Sequence, residues 1–172
     1  MTSPEFLAQL RALLGGRVEG EEMILGSSPR IYTHCRGHFV KVDFVSESEL
    51  LLEVNTRPPQ PLRLRREGFV LGALAAIGIL SDRKTGNEVF DGKYLIDYAS
   101  QEWAAAALTG EVRELISNLE PFALFELTHK EYRCFKSVDL DDYTPARAAR
   151  DVEALLRITE ITRGLDPQAK SH

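Results

Sequence analysis

Between positions 30 and 66 apolar residues recur at every second place, and this period restricts the chain more than any other feature. Val40, Val42 and Phe44 alternate with Lys41 and Asp43. Leu50, Leu52 and Val54 follow with Leu51 and Glu53 between them, and Leu62 and Leu64 alternate with Arg63 and Arg65. Successive side chains of a strand point to opposite faces, so this pattern specifies an antiparallel sheet with one face buried and the other wet. Arg36-Gly37 separates the runs 31–35 and 38–45 and marks a hairpin turn.

Helical periods flank that region. Ser3-Pro4-Glu5 suits a helix start, with Ser3 as the cap, and Phe6, Leu7, Leu10, Leu13 and Leu14 follow at helical spacing up to Gly15-Gly16. The apolar run 69–80 holds Ala73, Ala75 and Ala76 and reads as a short buried helix, followed by a polar loop over 81–87. A strand is expected at 93–97. Ser100 then caps a helix through Trp103, Thr109 caps another with Val112, Leu115, Ile116 and Leu119 on one stripe, and Pro121 ends it. Two further strands are expected at 122–127 and 132–138. A closing helix starts at Thr144-Pro145 and stops at Gly164, with Ala148, Val152, Leu155, Leu156 and Thr159 facing the core. The expected fold is α+β: a curved antiparallel sheet of about six strands packed against several helices, the long C-terminal one central to the core. Residues 1–165 are expected to make one domain, with 166–172 a flexible tail.

With 172 residues, 44% of them hydrophobic, the chain can bury a core without a metal or disulfide. Its net charge is -5, and the excess is confined to the second half, where 12 basic residues meet 17 acidic ones. That balance argues against duplex nucleic acid, whose phosphates require clustered Lys and Arg. Two cysteines, Cys35 and Cys134, suit a reduced compartment. The first residues lack the pattern of a secretion signal, and the 69–80 run is too short to span a bilayer. A soluble, cytoplasmic protein is expected, with peripheral membrane contact left open.

The segment Thr85-Gly86-Asn87-Glu88-Val89-Phe90-Asp91 has the residue types of a tight polar turn: Gly86 for a positive φ, Asp91 to accept backbone amides, Phe90 to anchor the loop in the core. With Tyr94, Ile96, Leu108, Thr109, Glu111 and Val112, residues 85–119 resemble a set of uncharacterised bacterial proteins. These carry a Thr-Gly-Asp-x-x-Phe-Asp turn, an aromatic and aliphatic strand, and a helix ending near Leu-Thr-x-Glu-Val. Asn87 and Tyr94 depart from that pattern. The resemblance implies no catalytic residue. Many members carry transmembrane helices ahead of the domain, whereas no such helix is read in this chain.

Other groupings have structural explanations. His34, Cys35 and His38, with His129 and Cys134, contain ligand types for zinc, but neighbours on a strand point apart and the hairpin turn explains the spacing. Asp139, Asp141 and Asp142 precede a helix whose dipole they favour. Arg57, Arg63, Arg65, Arg66, Arg83 and Lys84 form a potential basic patch, for which cross-strand pairing with Asp43 and Glu53 is the plainer use. No nucleophile elbow, P-loop, metalloprotease or dinucleotide fingerprint occurs, so no cofactor, metal or catalytic residue is expected.

The leading functional reading is therefore a non-catalytic protein-interaction or regulatory domain that binds a protein partner or itself. Its candidate surface is Phe69, Leu71, Leu74 and Ile77 on one side and Arg63 and Arg65 on the other. A second reading is a small-molecule-binding protein with an apolar cavity lined by Trp103, Phe122, Phe125 and Tyr132. A hydrolase with an unrecognised site is the third.

Overall fold

The computed structural model describes residues 1–14, 30–66 and 83–165. The candidate surface residues Phe69, Leu71, Leu74 and Ile77, the helix expected at 69–80 and the tail at 166–172 lie outside the described residues.

Helix α1 (Ser3–Leu14) opens with Thr2 rather than Ser3 as its cap. The Thr2 hydroxyl accepts from the Glu5 amide (3.4 Å) while the Glu5 carboxylate accepts from the Thr2 amide (2.8 Å). This reciprocal pair is a capping box, a Thr-x-x-Glu pattern that the Ser-Pro reading had displaced by one residue. Phe6, Leu7 and Leu10 are buried, whereas Leu13 faces solvent.

Strands β1 (Arg30–Cys35), β2 (His38–Ser46), β3 (Glu49–Asn55) and β4 (Leu62–Arg66) come next. The β1–β2 hairpin turns on Arg36 and Gly37, with φ of 51° and 78°, which matches the twist of the strands it joins. After the gap come the one-turn α2 (Glu88–Asp91), β5 (Tyr94–Tyr98), α3 (Gln101–Ala107), α4 (Gly110–Asn118), β6 (Leu124–Leu127), β7 (Tyr132–Ser137) and α5 (Pro145–Arg163). Ser100, Thr109 and Thr144 cap α3, α4 and α5 as the sequence predicts, each accepting from the backbone amide three residues on. The Glu120-Pro121 peptide between α4 and β6 is cis.

The seven strands of the described residues form one curved antiparallel sheet in the order β1-β2-β3-β7-β6-β4-β5, one strand more than the round number expected. The described helices lie on one face, with α5 against β3 and β7 and α1 and α4 against α5. Val40, Val42, Phe44, Leu50, Leu52 and Val54 meet Val152, Leu155 and Leu156 in a single core cluster. Burying each such side chain contributes about 1.5–3 kcal/mol. Phe6 joins α1 to this core by packing edge-on to Phe44 and stacking on Tyr143.

The 85–91 segment is a closed clamp. The Asp91 carboxylate accepts from the Thr85 amide, the Thr85 hydroxyl and the Gly86 amide, at 2.6–3.0 Å. Gly86 has φ of 86°, while Asn87 has an ordinary φ and caps α2 by accepting from the Phe90 amide. Phe90 is buried against Tyr94. Burial works to raise the Asp91 pKa, but the hydrogen bonds from Thr85 and Gly86 outweigh it and hold the carboxyl below its ordinary range.

Candidate binding face and cleft

The face of the sheet away from the described helices carries a transverse row of charge. The register aligns Tyr32, Lys41, Glu53, Arg133, Glu126, Arg63 and Asp97, one residue from each strand. After Tyr32 the signs alternate across the sheet. Arg133 sits 3.4 Å from Glu53 and 3.6 Å from Glu126 and also pairs with Glu131, while Arg63 reaches Glu126 at 3.2 Å. Glu53 and Glu126 are buried. Burial, with the nearby Glu131, raises the Glu53 pKa despite Lys41 and Arg133. Arg63 is thus one rung of a ladder whose charges offset one another.

Arg65 stands two residues further along the same face, in register with Leu124 and Leu95, and its Nε makes no hydrogen bond. Arg66 belongs to the opposite face by alternation, and Arg83 lies over the Tyr98 ring and 3.9 Å from Asp97. Four of the six basic residues grouped by the sequence, Arg63, Arg65, Arg66 and Arg83, are therefore divided between faces and ion pairs. At the β1 end of the row, Phe39 stacks with Tyr32 (5.4 Å) and meets His34 edge-on (5.2 Å). Tyr32 and Phe39 are half-buried and His34 is exposed.

A second site opens on the helical side, between α4, α5 and the β1–β2 turn. It is a cleft of about 680 Å³ whose lining includes Arg36, Arg147, Arg150, Arg157, Asn118 and Asp151. Arg36 leans onto α5 and pairs with Glu153 (2.7 Å) and Glu160 (3.5 Å), while Arg157 pairs with Glu111 at 3.0 Å. A non-glycine residue at positive φ costs about 1–2 kcal/mol. The ion pairs of Arg36 are about half exposed on both sides, so they return only about 0–1 kcal/mol. Stability alone does not account for an arginine at this turn.

Beneath the cleft lies a buried polar trio. Lys136 Nζ donates to Asp151 Oδ2 (2.5 Å) and to the Leu119 carbonyl at the end of α4 (2.5 Å), and Tyr143 donates to the same Asp151 oxygen at 2.6 Å. Burial, then the Asp151 charge, drives the Tyr143 pKa far upward, and burial pushes the neighbouring Cys134 thiol up to about 12. Neither group is poised to give up a proton near neutrality. The carboxylate is already occupied by Lys136 and Tyr143, so the trio packs and positions α5. The parity of β7 puts Lys136 on the core face with Tyr132 and Cys134, and that parity is the sequence signal of its burial.

The other candidates come apart in space. Cys35 is buried against the Leu14 carbonyl, His38 pairs with Thr56 (2.9 Å), and burial lowers the His38 pKa. Among the described residues no three His, Cys, Asp or Glu side chains converge as a metal site would need. Asp139 accepts from the Asp141 amide in the turn before α5. Trp103, Phe122, Phe125 and Tyr132 are all core residues: Phe122 stacks on Tyr94, and Tyr132 bonds Thr162 at 2.7 Å. A smaller recess of about 350 Å³ beside β4 and β5 holds Arg63, Asp97 and His129.

No family model matches the chain, and no curated protein matches it. Its fold is similar to the crystal structure of the mycobacterial trehalose monomycolate transport factor A, TtfA, with a TM-score of 0.63 over 93% of this chain and 94% of that one. Sequence identity is 11%, so the likeness is one of fold. Among the described residues no helix is long and apolar enough to cross a membrane.

Proposed function

We propose that this chain is a non-catalytic protein-interaction domain that pairs with a second copy of itself along β1. The observation that carries this reading is the character of that strand. Monomeric proteins blunt a terminal strand with charge, proline or a bulge, because its free backbone groups template further pairing. Here β1, Arg-Ile-Tyr-Thr-His-Cys, terminates the described sheet, is rich in β-formers and carries one full charge, at its first residue. It also presents the Tyr32–Phe39–His34 cluster, and half-exposed aromatics are the residue class enriched at interface centres. Antiparallel pairing of β1 with its copy gives an isologous, closed contact.

The clamp at 85–91, which carries much of the resemblance to uncharacterised bacterial proteins, is a folding element in this reading, since its carboxylate is used on Thr85 and Gly86. A binding role agrees with the transport factor that the similar fold belongs to. A different protein docking at the Arg65 end of the sheet is the second reading, favoured by the unbonded Arg65 Nε beside Leu124 and Leu95.

Light scattering coupled to size exclusion tests the first reading. The wild type is expected at twice 19.3 kDa, and Tyr32→Glu at the monomer mass with an unchanged circular dichroism spectrum. A wild type that stays monomeric at about 0.1 mM overturns self-pairing. A dimer unaffected by Tyr32→Glu moves the interface away from β1.

A further inference from the structure

We infer that the arginine-lined cleft is a binding site for a small, soluble phosphate ester or comparable multivalent oxyanion. On α5, Arg147, Arg150, Ala154 and Arg157 fall at helical spacing on one stripe, and all four line the cleft. Ala154 keeps the middle of that stripe low, so the guanidinium groups stand around a depression. Arg36 closes it from the hairpin.

The charge balance favours an anion. Four guanidinium groups and the buried Lys136 stand against four carboxylates, Asp151 and Glu153 in the lining and Glu111 and Glu160 paired with Arg157 and Arg36, and Asp151 is already held by Lys136. Arg36 and Arg157 are oriented by their glutamates, and Arg147 by donating to the Glu120 carbonyl at 2.6 Å. A guanidinium has five N–H donors in a planar fork, so these residues are held in place without being saturated. Arg150 is exposed and makes no ion pair or hydrogen bond within the described residues, which leaves its whole fork available. Oriented forks around a shallow basin match the geometry of phosphate recognition.

The cleft volume lies in the range of small-ligand sites. The chain's net charge of -5 disfavours approach to an anionic membrane, so the ligand assigned is a dissolved one. The left-handed Arg36, whose ion pairs do not offset its strain, fits the same purpose: the turn places a guanidinium over the cleft where asparagine or glycine would be easier.

The test is isothermal titration of the full chain with inorganic pyrophosphate at low ionic strength. Saturable one-site binding is expected, weakened about tenfold in Arg150→Gln, the loss of one charge-assisted contact. The control variant Lys130→Gln, an exposed cation in the β6–β7 turn that does not line the cleft, should bind as the wild type does. Thermal melts confirm that both variants remain folded. Absence of saturable binding at about 10 mM, a Kd above any physiological use, overturns the assignment. Equal affinity of Arg150→Gln and wild type overturns it too. So does association with vesicles containing phosphatidic acid but none with pyrophosphate.

Discussion

Replacing Lys136 by methionine isolates what the buried trio contributes. The ammonium is fully buried, its partner carboxylate nearly so, and it has three ligands: Asp151 Oδ2, the Leu119 carbonyl, and the Tyr143 ring, whose centroid is 5.2 Å away. Methionine fills the stem's volume and removes all three. Two costs follow from the geometry. The Asp151 charge is left with one close donor, Tyr143, and with Arg147 at 3.9 Å, and the last turn of α4 loses the cation at its negative end. Removing one partner of a buried pair costs about 3–5 kcal/mol. In a chain of this size each kcal/mol moves the melting point about 2–4 °C, so Lys136→Met should melt roughly 6–20 °C lower. Denaturant unfolding at neutral pH measures the free energy directly. The double variant Lys136→Met/Asp151→Leu removes the stranded charge and should recover about 2 kcal/mol relative to the sum of the single variants. A loss under about 1 kcal/mol for Lys136→Met, or coupling under about 0.5 kcal/mol, would refute the claim that the pair is desolvated.

Three further perturbations have defined signs. Asp91→Asn weakens the Thr85 clamp; because the folded pKa of Asp91 is lowered, its contribution is full above the ordinary carboxylate value and fades as pH falls through the folded one. The variant should therefore be about 1 kcal/mol less stable at pH 7 and converge on the wild type as pH falls below the ordinary carboxylate range, read by urea unfolding across pH. Arg133→Met strips the central cation from the ladder beside Glu53, whose folded pKa is raised, so its ionisation penalises the fold as pH climbs past the unfolded value. The variant's deficit should grow between about pH 4 and 7 to about 1–2 kcal/mol, a figure discounted for the partial exposure of Arg133; a deficit that shrinks over that range contradicts the ladder. Arg36→Asn should stabilise the protein by about 0.5 kcal/mol, since asparagine tolerates the left-handed turn and the lost ion pairs are exposed. The same variant should bind pyrophosphate more weakly.

Local rules made much of this fold legible. The alternation at 40–44, 50–54 and 62–64 marked the strands and their core face, although β3 is buried on both faces rather than wet on one, and Ser100, Thr109 and Thr144 marked three helix starts to the residue. What could not be read is pairing at long range: β3 pairs with β7, and β4 lies between β6 and β5. Those choices depend on how α5 and its neighbours fill the concave face, not on any single strand's composition. The cleft was missed for a different reason. The apolar stripe of the helix at 145–163 dominates its pattern, and the second stripe, Arg147, Arg150 and Arg157 with Ala154 between, stands in the same residues. The candidates Arg63 and Arg65 share the face away from the described helices, but their partners in register there, Glu126 and Leu124, come from β6, about sixty residues away.

Agreement between levels makes the exceptions informative. Caps, turns, parity and core all point to one structure over most of the chain, as expected of a sequence with a single stable fold. Two features break local rules: a lysine and an aspartate inside the core, and an arginine in a turn conformation suited to asparagine or glycine. Both converge on the same face of α5. Asp151 forms the floor of the cleft and Arg36 one of its walls. The buried pair locks the register of α5 against β7 and the end of α4, and this fixes where Arg147, Arg150 and Arg157 stand. Strain and desolvation are accordingly concentrated where charged groups must be held in place. The ladder on the opposite face buries carboxylates too, Glu53 and Glu126, but its residues stand in ordinary strand geometry, each carboxylate beside an arginine. What sets the cleft apart is the left-handed Arg36, a backbone cost that the ladder does not carry and that the half-exposed ion pairs of Arg36 do not offset.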